Sequence, residues 1–359
     1  MKILFHINSL GLGGAERVVS VLSGALESRG WEIVLATLWQ DETEYSLPPH
    51  TKRLQFSETK VSRAVLALKR LIWLRETIKA EKPDIVVSFM QKANYRAAAA
   101  MLGLGIPLLV SVRNDPKTDY GGLKNKLPNF IMTRKAKGCV FQTEEARGFF
   151  GKGFAERSRV IWNPLEEKFL KKDWDSEGSK EKNAFFIVNV GRITAQKNQL
   201  LLVKAFQRML GKPDREFALT PMLLIYGKPE EGQGTYEELK KHIHENRLEE
   251  AVKLMGTTDQ VEEVLANCAF FVLSSDYEGL PNGLMEAMAM GVPCVSTDCP
   301  CGGPGELIEN GVNGILVPVG DEEKLADAMG DLLFDRAFAK SLGKKAKKLR
   351  EKANVQVIT

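Results

Sequence analysis

The 359-residue sequence predicts an α/β protein with two domains, each built around a doubly wound parallel sheet. Short apolar runs alternate with longer segments of helical spacing along the chain, which is the pattern of repeated β-α-β units. A polar stretch of weak periodicity separates two such series, and the length suffices for two hydrophobic cores. The predicted parts are a first domain at 1–170, a linker at 171–183, a second domain at 184–345, and the start of a C-terminal helix at 346–359 that leads back toward the first domain.

The first domain begins with a strand, a glycine-rich turn and a helix. Residues 2–7 form the apolar strand, LGLGG makes the turn, and apolar residues at helical spacing continue until Gly30 ends the helix. The segment 61–80 has an apolar stripe interleaved with arginine and lysine, which predicts a helix packed on the sheet, with a membrane-facing helix as the alternative. Further strands are predicted at 32–38, 85–89, 107–112, 138–142 and 159–163, about six in this sheet.

The second domain repeats this pattern, with glycine-containing turns after several of its strands. The apolar run 270–273 predicts a buried strand, and the stretch SSDYEGLPNGLMEAMAMG after it turns into a helix. A later turn at Gly302–Gly305 is expected to open another helix at Glu306. The predicted strands lie near 184–190, 222–226, 252–255, 270–273, 292–296 and 314–317.

Charge is unevenly distributed along the chain, whose formal net charge is +4. Residues 1–170 hold 26 Lys+Arg against 17 Asp+Glu, and the excess is concentrated in residues 51–137, with 18 against 6. A basic first domain is expected to meet an anionic surface or an anionic acceptor, and plain solubility is the other interpretation.

Targeting and metal-binding signals are weak. No stretch of about 18 apolar residues and no signal-peptide pattern is present, so we expect a cytoplasmic protein. The cysteines lack C-x-x-C spacing and a nearby histidine, which favours buried or spectator thiols over a metal site. They are Cys139, Cys268, Cys294, Cys299 and Cys301.

The glycine-rich turn of the first domain could be a dinucleotide-binding fingerprint. However, G-x-G-x-x-G requires a third glycine where the chain has Glu16, and the next strand does not end in the acid that would hold a ribose. An NAD site at Gly13 and Gly14 is therefore disfavoured. Small residues at this turn would still let the backbone approach a substrate closely.

The turn after the 270–273 strand predicts an anion site with a carboxylate at each end. Glu278 lies in the loop and Glu286 in the first turns of the following helix. Two acids at this spacing are, on their own, equally consistent with solvated surface charges. Between them lie backbone amides without helical partners, those of Gly279, Leu280, Asn282 and Gly283.

Two cations follow the first strand of the second domain. Gly191 lets the chain turn there, and Arg192 and Lys197 lie five residues apart at the start of the next helix. Solvated side chains are the default interpretation of such a pair.

Three separated motifs resemble those of the retaining GT-B glycosyltransferases of family four. They are E-x7-E at Glu278 and Glu286 with the spelling EGLPN, G-R-x4-K from Gly191 to Lys197, and GGAER from Gly13 onward. The resemblance covers nearly the whole chain. It implies the GT-B fold, in which two Rossmann-like domains face each other across a cleft, the first binding the acceptor and the second the nucleotide sugar.

The resemblance also implies roles for individual residues. Arg192 and Lys197 would neutralise the diphosphate leaving group, while Glu278 would bind sugar hydroxyls and take part in catalysis. Glu286 would bind the ribose. The other implied donor-binding residues are Gly13, Gly14, Gly191, Gly279, Leu280, Asn282 and Gly303. The implied acceptor-side residues are Glu16, Arg113, Asn114 and Asp115, with Arg113 standing where many relatives carry a histidine.

The implied activity is transfer, with retention of configuration, of a hexose or N-acetylhexosamine from a nucleotide-diphosphate sugar, which we expect to be UDP-linked. The acceptor would be a saccharide or lipid-linked saccharide in cell-surface glycan synthesis. No metal, no further cofactor and no nucleic acid are expected, and the basic first domain favours contact with an anionic membrane surface at the inner face of the cell membrane. The alternative is a GT-B sugar-nucleotide epimerase or a non-catalytic sugar-nucleotide-binding protein.

Overall fold

The chain folds as two α/β units. The computed structural model describes residues 1–57, 60–170, 185–212, 217, 219–230, 232 and 234–353. Contacts divide the described chain into a first unit of Met1–Pro164 together with Ala353 and a second unit of Leu165–Lys352. The predicted linker, 171–183, lies outside the described residues, and the segment 346–359 is described as far as Ala353. Each unit has a parallel sheet that carries helices, so the predicted two-domain α/β class is confirmed.

A parallel sheet of seven described strands forms the centre of the first unit. The strands are β1 (Lys2–His6), β2 (Glu32–Thr37), β3 (Lys52–Gln55), β4 (Ile85–Phe89), β5 (Leu108–Ser111), β6 (Gly138–Phe141) and β7 (Arg159–Val160). Their order is β3-β2-β1-β4-β5-β6-β7. The strand that the sequence does not predict is β3, an edge strand that pairs through its backbone with β2 and buries none of its side chains fully. It therefore needs no apolar run.

Helices cover this sheet in the first unit: α1 (Gly14–Glu27), α2 (Arg63–Glu81), α3 (Gln91–Ala100), α4 (Pro116–Tyr120), α5 (Lys126–Lys135), α6 (Glu144–Gly148) and α7 (Lys152–Ala155). The predicted helix at 61–80 is α2, which buries only Leu74 and Ile78 completely. Most of its first three turns is exposed. Neither α2 nor any other helix in the described ranges is long and apolar enough to cross a membrane.

The second unit is built on a parallel sheet of six described strands, as the sequence predicts. They are β8 (Phe186–Val190), β9 (Met222–Tyr226), β10 (Val252–Gly256), β11 (Phe270–Leu273), β12 (Cys294–Thr297) and β13 (Ile315–Val317). Their order is β10-β9-β8-β11-β12-β13. Strand β11 is fully buried along its length, which explains why its sequence is a continuous apolar run.

The helices of the second unit are α8 (Glu167–Leu170), α9 (Gln199–Leu210), α10 (Thr235–Glu245), α11 (Val261–Ala266), α12 (Asn282–Ala289), α13 (Gly303–Leu307), α14 (Glu322–Phe334) and α15 (Arg336–Ala346). Helix α13 begins at Gly303, three residues before the predicted start at Glu306. Gly302 adopts a left-handed conformation, with φ of 72°, and ends the preceding turn. Pro304 fits the first helical turn, where no N–H donor is needed.

The short helix α8 groups with the second unit, although the sequence places it in the first domain. Phe169 is fully buried, and Lys168 Nζ lies 2.9 Å from Glu262 Oε2 in the second unit. Because α8 has only four residues, its sequence shows no periodicity that could indicate which of the two hydrophobic cores it packs on.

The order in which strands are added reverses at the corresponding place in both sheets. Strand β1 pairs with β2 and β4, and strand β8 pairs with β9 and β11. Connections from the two central strands then leave toward opposite faces of the sheet, which opens a crevice at the carboxyl ends where α/β proteins bind ligands. The topology therefore directs attention to the loops after β8 and β11 in the second unit, and after β1 and β4 in the first.

Candidate active site

The turn that follows β8 is packed too closely for side chains. The N–H of Gly191 donates to the carbonyl of Tyr226 at 2.9 Å, and a β-carbon at Gly227 would stand 1.9 Å from Gly191 O. The turns after β8 and β9 therefore touch through their backbones. The chain continues into the 3-10 turn Ala195–Lys197, which brings the Lys197 side chain back alongside Gly191.

The loop after β11 is fixed to this 3-10 turn by several hydrogen bonds. The N–H of Asp276 donates to Gln196 O at 2.9 Å, and the Gln196 side-chain amide donates to Tyr277 O at 2.9 Å. The Asn198 side-chain amide donates to Asp276 Oδ1 at 2.8 Å. Because these bonds lie at different places along the two loops, they restrict both loops to one relative position.

An ion pair joins the same two loops. Lys197 Nζ contacts Glu278 Oε1, and this oxygen also accepts a hydrogen bond from Ser275 Oγ at 2.6 Å. The Glu278 side chain is 7% exposed and that of Lys197 is 19% exposed. A carboxylate removed from water needs such partners, because an unpaired buried charge is costly. The E-x7-E and G-R-x4-K motifs thus meet in one constellation.

The turn Gly302–Gly305 closes on the Glu278 loop. A β-carbon at Gly303 would stand 1.6 Å from Gly279 O, so the backbone leaves no room for any side chain at position 303. The N–H of Glu278 donates to Pro300 O at 3.2 Å. Loops after β8, β11 and β12, which are neighbours in the sheet, consequently build one site.

Helix α12 begins within this site, at Asn282, shortly after the buried Leu280. Its hydrogen-bond ladder starts with the N–H of Met285, which donates to Pro281 O at 3.1 Å. The earlier N–H groups point out of the helix end and give it a positive potential. Together with the lysine ammonium, they form an arrangement suited to an anion.

Helix α12 also carries the second acid of the motif. Gly283 allows the helix to approach β8, since a β-carbon there would lie 3.1 Å from Val190 O. Glu286, one turn further on, is 2% exposed. The first acid therefore lies in the loop and the second in the helix, as the sequence predicts.

Arg192 has a different environment from that of Lys197. Its guanidinium lies 3.6 Å from Glu230 Oε2, and the two side chains are 56% and 41% exposed. An exposed pair of this kind contributes little to stability. Arg192 can therefore exchange Glu230 for an anionic ligand at small cost, whereas Lys197 is held in place.

The five cysteines are all buried, as the sequence predicts, and none of them is in a disulfide bond. Burial raises the pKa of Cys299 to about 12, with a further contribution from Glu278, so this thiol stays protonated. In the ranges described above, no three histidine, cysteine or carboxylate side chains are grouped to hold a metal. What the site offers is anion binding by lysine, arginine and backbone amides, next to carboxylates that accept hydrogen bonds from hydroxyl groups.

Gly13 and Gly14 lie at the start of α1 in the first unit, with Gly13 as the N-cap. Glu16 bends back over them, because a β-carbon at Gly13 would stand 2.2 Å from Glu16 Oε2. The preceding turn is held by Glu44, whose Oε1 accepts from the N–H of Leu10 at 3.3 Å. The donor-binding role of the glycines and the acceptor-side role of Glu16 stay predictions.

Arg113 follows β5 and has protein partners. Its guanidinium donates to Asn163 Oδ1 and lies 5.9 Å from the centre of the Phe89 ring. Burial lowers the pKa of Arg113 to about 10, so the side chain is charged at neutral pH. The predicted contact with the transferred sugar stays a prediction.

Asp115 is the N-cap of α4. Its carboxylate accepts hydrogen bonds from the backbone N–H of Lys117 at 3.1 Å and of Thr118 at 3.2 Å. The adjacent Asn114 hydrogen-bonds the carboxyl group of Asp119, whose pKa is raised to about 6, mainly by burial. These side chains fix the turn after β5, and an acceptor-side role for them is untested.

The structure brings together several of the predicted site residues of the second unit, whereas Arg192 is paired with Glu230. Lys197 contacts Glu278, and Gly279 packs on Gly303. Sequence reasoning misses Ser275, which donates to Glu278, because a single loop serine gives no periodic signal. The available signal is its position directly after a buried strand in a parallel sheet, where ligand-binding residues collect.

Comparisons with known families match both units. The model described as "Glycosyltransferase Family 4" matches residues 12–169, and the model described as "Glycosyl transferases group 1" matches residues 184–335. Together the two matches take in most of the chain.

Individual relatives are similar over nearly their full length. The N-acetylgalactosamine-N,N'-diacetylbacillosaminyl-diphospho-undecaprenol 4-alpha-N-acetylgalactosaminyltransferase of Campylobacter jejuni is 27% identical, over 96% of this chain and 94% of its own. The amylovoran biosynthesis glycosyltransferase AmsD of Erwinia amylovora is 24% identical, over 96% and 93%. Among solved structures, Anabaena HepE in complex with UDP and glucose is similar with a TM-score of 0.83 and 21% identity, covering 100% of this chain and 97% of that one.

These findings agree with the architecture and the site. Both family models describe glycosyltransferases, the two curated relatives are glycosyltransferases, and the solved neighbour shares the fold over the whole length. The chain therefore belongs to the GT-B glycosyltransferases.

Proposed function

We propose that this glycosyltransferase is a retaining enzyme of family four that transfers a hexose or an N-acetylhexosamine from a UDP-sugar to a saccharide or lipid-linked saccharide in cell-surface glycan synthesis. The observation that carries the proposal is the Lys197–Glu278 pair beside the N-terminus of α12, at the switch point of the second sheet. This arrangement offers positive charge to a diphosphate and a carboxylate to the sugar hydroxyls next to it.

The names of similar proteins support the substrates. HepE was solved with UDP and glucose, the Campylobacter relative is named for a diphospho-undecaprenol-linked substrate, and AmsD is named for amylovoran biosynthesis. The curated relatives are named as transferases, which gives no support to the alternative of an epimerase or a non-catalytic sugar-nucleotide-binding protein.

In the proposed mechanism the departing diphosphate takes the acceptor proton. The bond between the sugar C1 and the phosphate oxygen breaks while the acceptor hydroxyl adds to the same face of the sugar, so the configuration is retained. The hydroxyl proton passes to the phosphate oxygen that leaves. Lys197 and Arg192 stabilise the charge that grows on that oxygen, which lowers the barrier because it acts in the transition state.

Glu278 prepares Lys197 for this role. Without donor, the carboxylate neutralises the ammonium and holds it over the β8 turn. When a diphosphate binds, the ammonium lies between two anions and needs little rearrangement. Less side-chain entropy is then lost on binding than for a solvated lysine.

Substitution of the two cations tests the leaving-group role. Arg192→Ala and Lys197→Ala should each lower turnover by roughly 10²–10³, the effect of removing one preorganised donor. Arg192→Ala should leave the free energy of unfolding unchanged, because its pair with Glu230 is exposed. Lys197→Ala should also lower it, by roughly 1–3 kcal/mol, because Glu278 loses its cation. Steady-state kinetics and urea unfolding measure the two effects.

A double variant separates catalysis from stability. Lys197→Ala combined with Glu278→Gln removes the uncompensated carboxylate and should recover the stability lost in Lys197→Ala. Turnover should stay low, because the missing ammonium is not replaced. Near-normal turnover in Lys197→Ala or in Arg192→Ala would refute the assignment.

The two acids of the motif are expected to act on different parts of the donor. Glu286→Ala should weaken the binding of UDP itself by about 1–3 kcal/mol, because ribose hydroxyls lose a buried acceptor. Glu278→Ala should bind UDP at least as well as the unaltered protein, because Lys197 is released, but should bind the UDP-sugar less well. Titration calorimetry with UDP and UDP-glucose measures both affinities for each variant and for the unaltered protein. If Glu286→Ala and the unaltered protein bind UDP equally, the two roles are misassigned.

We further propose that transfer needs no divalent metal. Lys197, Arg192 and the α12 N-terminus already supply positive charge, so a cation has little left to neutralise. The D-x-D triplet in the sequence, Asp173-Trp174-Asp175, lies outside the described residues. Turnover should therefore be the same with and without EDTA. Loss of activity in EDTA that Mg²⁺ or Mn²⁺ restores would contradict this proposal.

The first unit is proposed to dock on the inner face of an anionic membrane. Its segment 51–137 carries 18 Lys+Arg against 6 Asp+Glu. Exposed apolar side chains lie among these charges, and such a combination is typical of segments that bind at a membrane surface. These exposed apolar side chains are Val65, Leu68 and Ile72 on α2 and Leu123, Leu127 and Phe130 on and before α5.

Sedimentation with liposomes tests the membrane proposal. Each lysine or arginine near an anionic surface contributes about 1 kcal/mol, so binding to anionic vesicles should be strong at low salt and reversed by high salt. Leu127→Gln with Phe130→Gln should weaken it, whereas Met255→Gln, an exposed apolar residue of the second unit, should not. Equal and negligible binding to anionic and neutral vesicles would remove the proposal.

A further inference from the structure

A groove of about 460 Å³ lies in the first unit, bordered by α2, α3 and α5. None of the residues that line this groove belongs to the three glycosyltransferase motifs. Its lining is mainly apolar, with Leu66, Leu71 and Ile131 among its walls. No acidic side chain is among the described residues that line it. Its charged residues are Arg63, Arg70, Lys92 and Arg96.

Arg96 is the most deeply placed of these cations. Its guanidinium donates to His6 Nε2 at 3.0 Å and to Asn8 Oδ1 at 3.1 Å. His6 Nδ1 lies 2.9 Å from Ala36 O and carries the proton of that hydrogen bond, because Nε2 accepts from the arginine. Burial, and then Arg96 itself, lowers the pKa of His6 to about 3, so the imidazole is neutral. These two partners therefore orient the guanidinium without neutralising it.

Arg70 is a second cation close to Arg96. Burial, and then the charge on Arg70, lower the pKa of Arg96 to about 10, so Arg96 is charged at neutral pH. Arg70 lies 5.6 Å from the centre of the Trp39 ring, which orients its guanidinium as well. Like charges that lie close together repel each other, and an anion bound between them would relieve that repulsion. The groove is thus electrostatically complementary to an anion.

The two opposite sides of α2 carry different residues, one side lining the groove and the other carrying exposed apolar side chains. Arg63, Ala67 and Arg70 recur at helical spacing and line the groove. Leu68 and Ile72 lie on the opposite side of the same helix and are exposed. One face of α2 therefore offers apolar side chains to a bilayer surface, while the other offers cations to a group just beneath it.

We propose that this groove binds the phosphate or diphosphate of a lipid-linked saccharide acceptor, with the first part of the lipid chain on the apolar lining. The proposal rests on the proposed function for the use of that acceptor. Four cations match a group of two or more negative charges, and the apolar walls match a hydrocarbon chain that a free phosphate lacks. The groove residues bind and position the acceptor and take no part in bond breaking.

Binding of a short prenyl diphosphate tests the site directly. Titration calorimetry with farnesyl diphosphate should show binding that is at least tenfold tighter than that of inorganic pyrophosphate. Arg63→Glu with Lys92→Glu should weaken farnesyl diphosphate at least tenfold, and both side chains are exposed, so the fold should be retained. Lys69→Glu with Lys137→Glu changes the net charge equally in the same region without touching the groove, and should keep the affinity.

Lys197→Ala shows whether the probe binds at the donor site instead. Its affinity for farnesyl diphosphate should equal that of the unaltered protein. The proposal is overturned if Arg63→Glu with Lys92→Glu binds the probe normally, or if inorganic pyrophosphate binds as tightly as farnesyl diphosphate. The donor-site proposal fails separately, by absence of UDP binding, and that outcome leaves the probe measurement intact.

A kinetic readout links the groove to transfer. With a lipid-linked acceptor, Arg63→Glu with Lys92→Glu should raise the acceptor KM at least tenfold. The KM for the UDP-sugar should be unchanged, because the altered residues lie in the first unit and the donor loops in the second. An unchanged acceptor KM would count against the proposal.

Discussion

The contact between Lys197 and Glu278 is the interaction on which the site of the second unit depends. A carboxylate that is almost fully removed from water must keep a cation and a hydrogen-bond donor, and here these come from two different loops. The requirement ties the turn after β8 to the turn after β11, the two strands on either side of the switch point. The backbone contact between Gly303 and Gly279 then adds the turn after β12. Electrostatics and close backbone packing therefore fix the same three loops.

Much of this architecture is predictable because buried parallel strands must be apolar on both faces. The four inner strands of the second unit, β8, β9, β11 and β12, follow from that requirement. Strand β3 does not, because an edge strand is held by backbone hydrogen bonds and can consist of charged residues. The predicted start of α13 is wrong for a different reason. The left-handed conformation of Gly302 decides where the helix begins, and a glycine-rich sequence does not show which glycine adopts it.

The site is only partly predictable from its motifs. The residues of E-x7-E and G-R-x4-K are named by the sequence, but their contact needs the sheet order, which places β8 next to β11. Local roles are hidden as well. Asp115 caps a helix, and His6, which sits in an apolar strand, orients an arginine. Both roles depend on neighbours that are distant or conformation-specific, and periodicity carries no information about either.

The two units share the order of their first six strands but differ in how a cation near the switch point is partnered. At the second switch point a cation is balanced by an acid, whereas near the first a guanidinium is held by a neutral imidazole and an amide. The balanced pair contributes little net charge of its own, whereas a cation with neutral partners favours an anion. The difference follows from single residues, since the sheets that present them are alike in topology.

The burial of all five cysteines has a practical consequence for studying motion in this enzyme. Maleimide dyes react with exposed thiolates, and here burial raises the pKa of Cys139, Cys294 and Cys299 above the ordinary range for a thiol. A single cysteine introduced at an exposed position would therefore be modified selectively, without first removing the native ones. Pairs of such positions, one in each unit, would give distance reporters in the otherwise unaltered sequence.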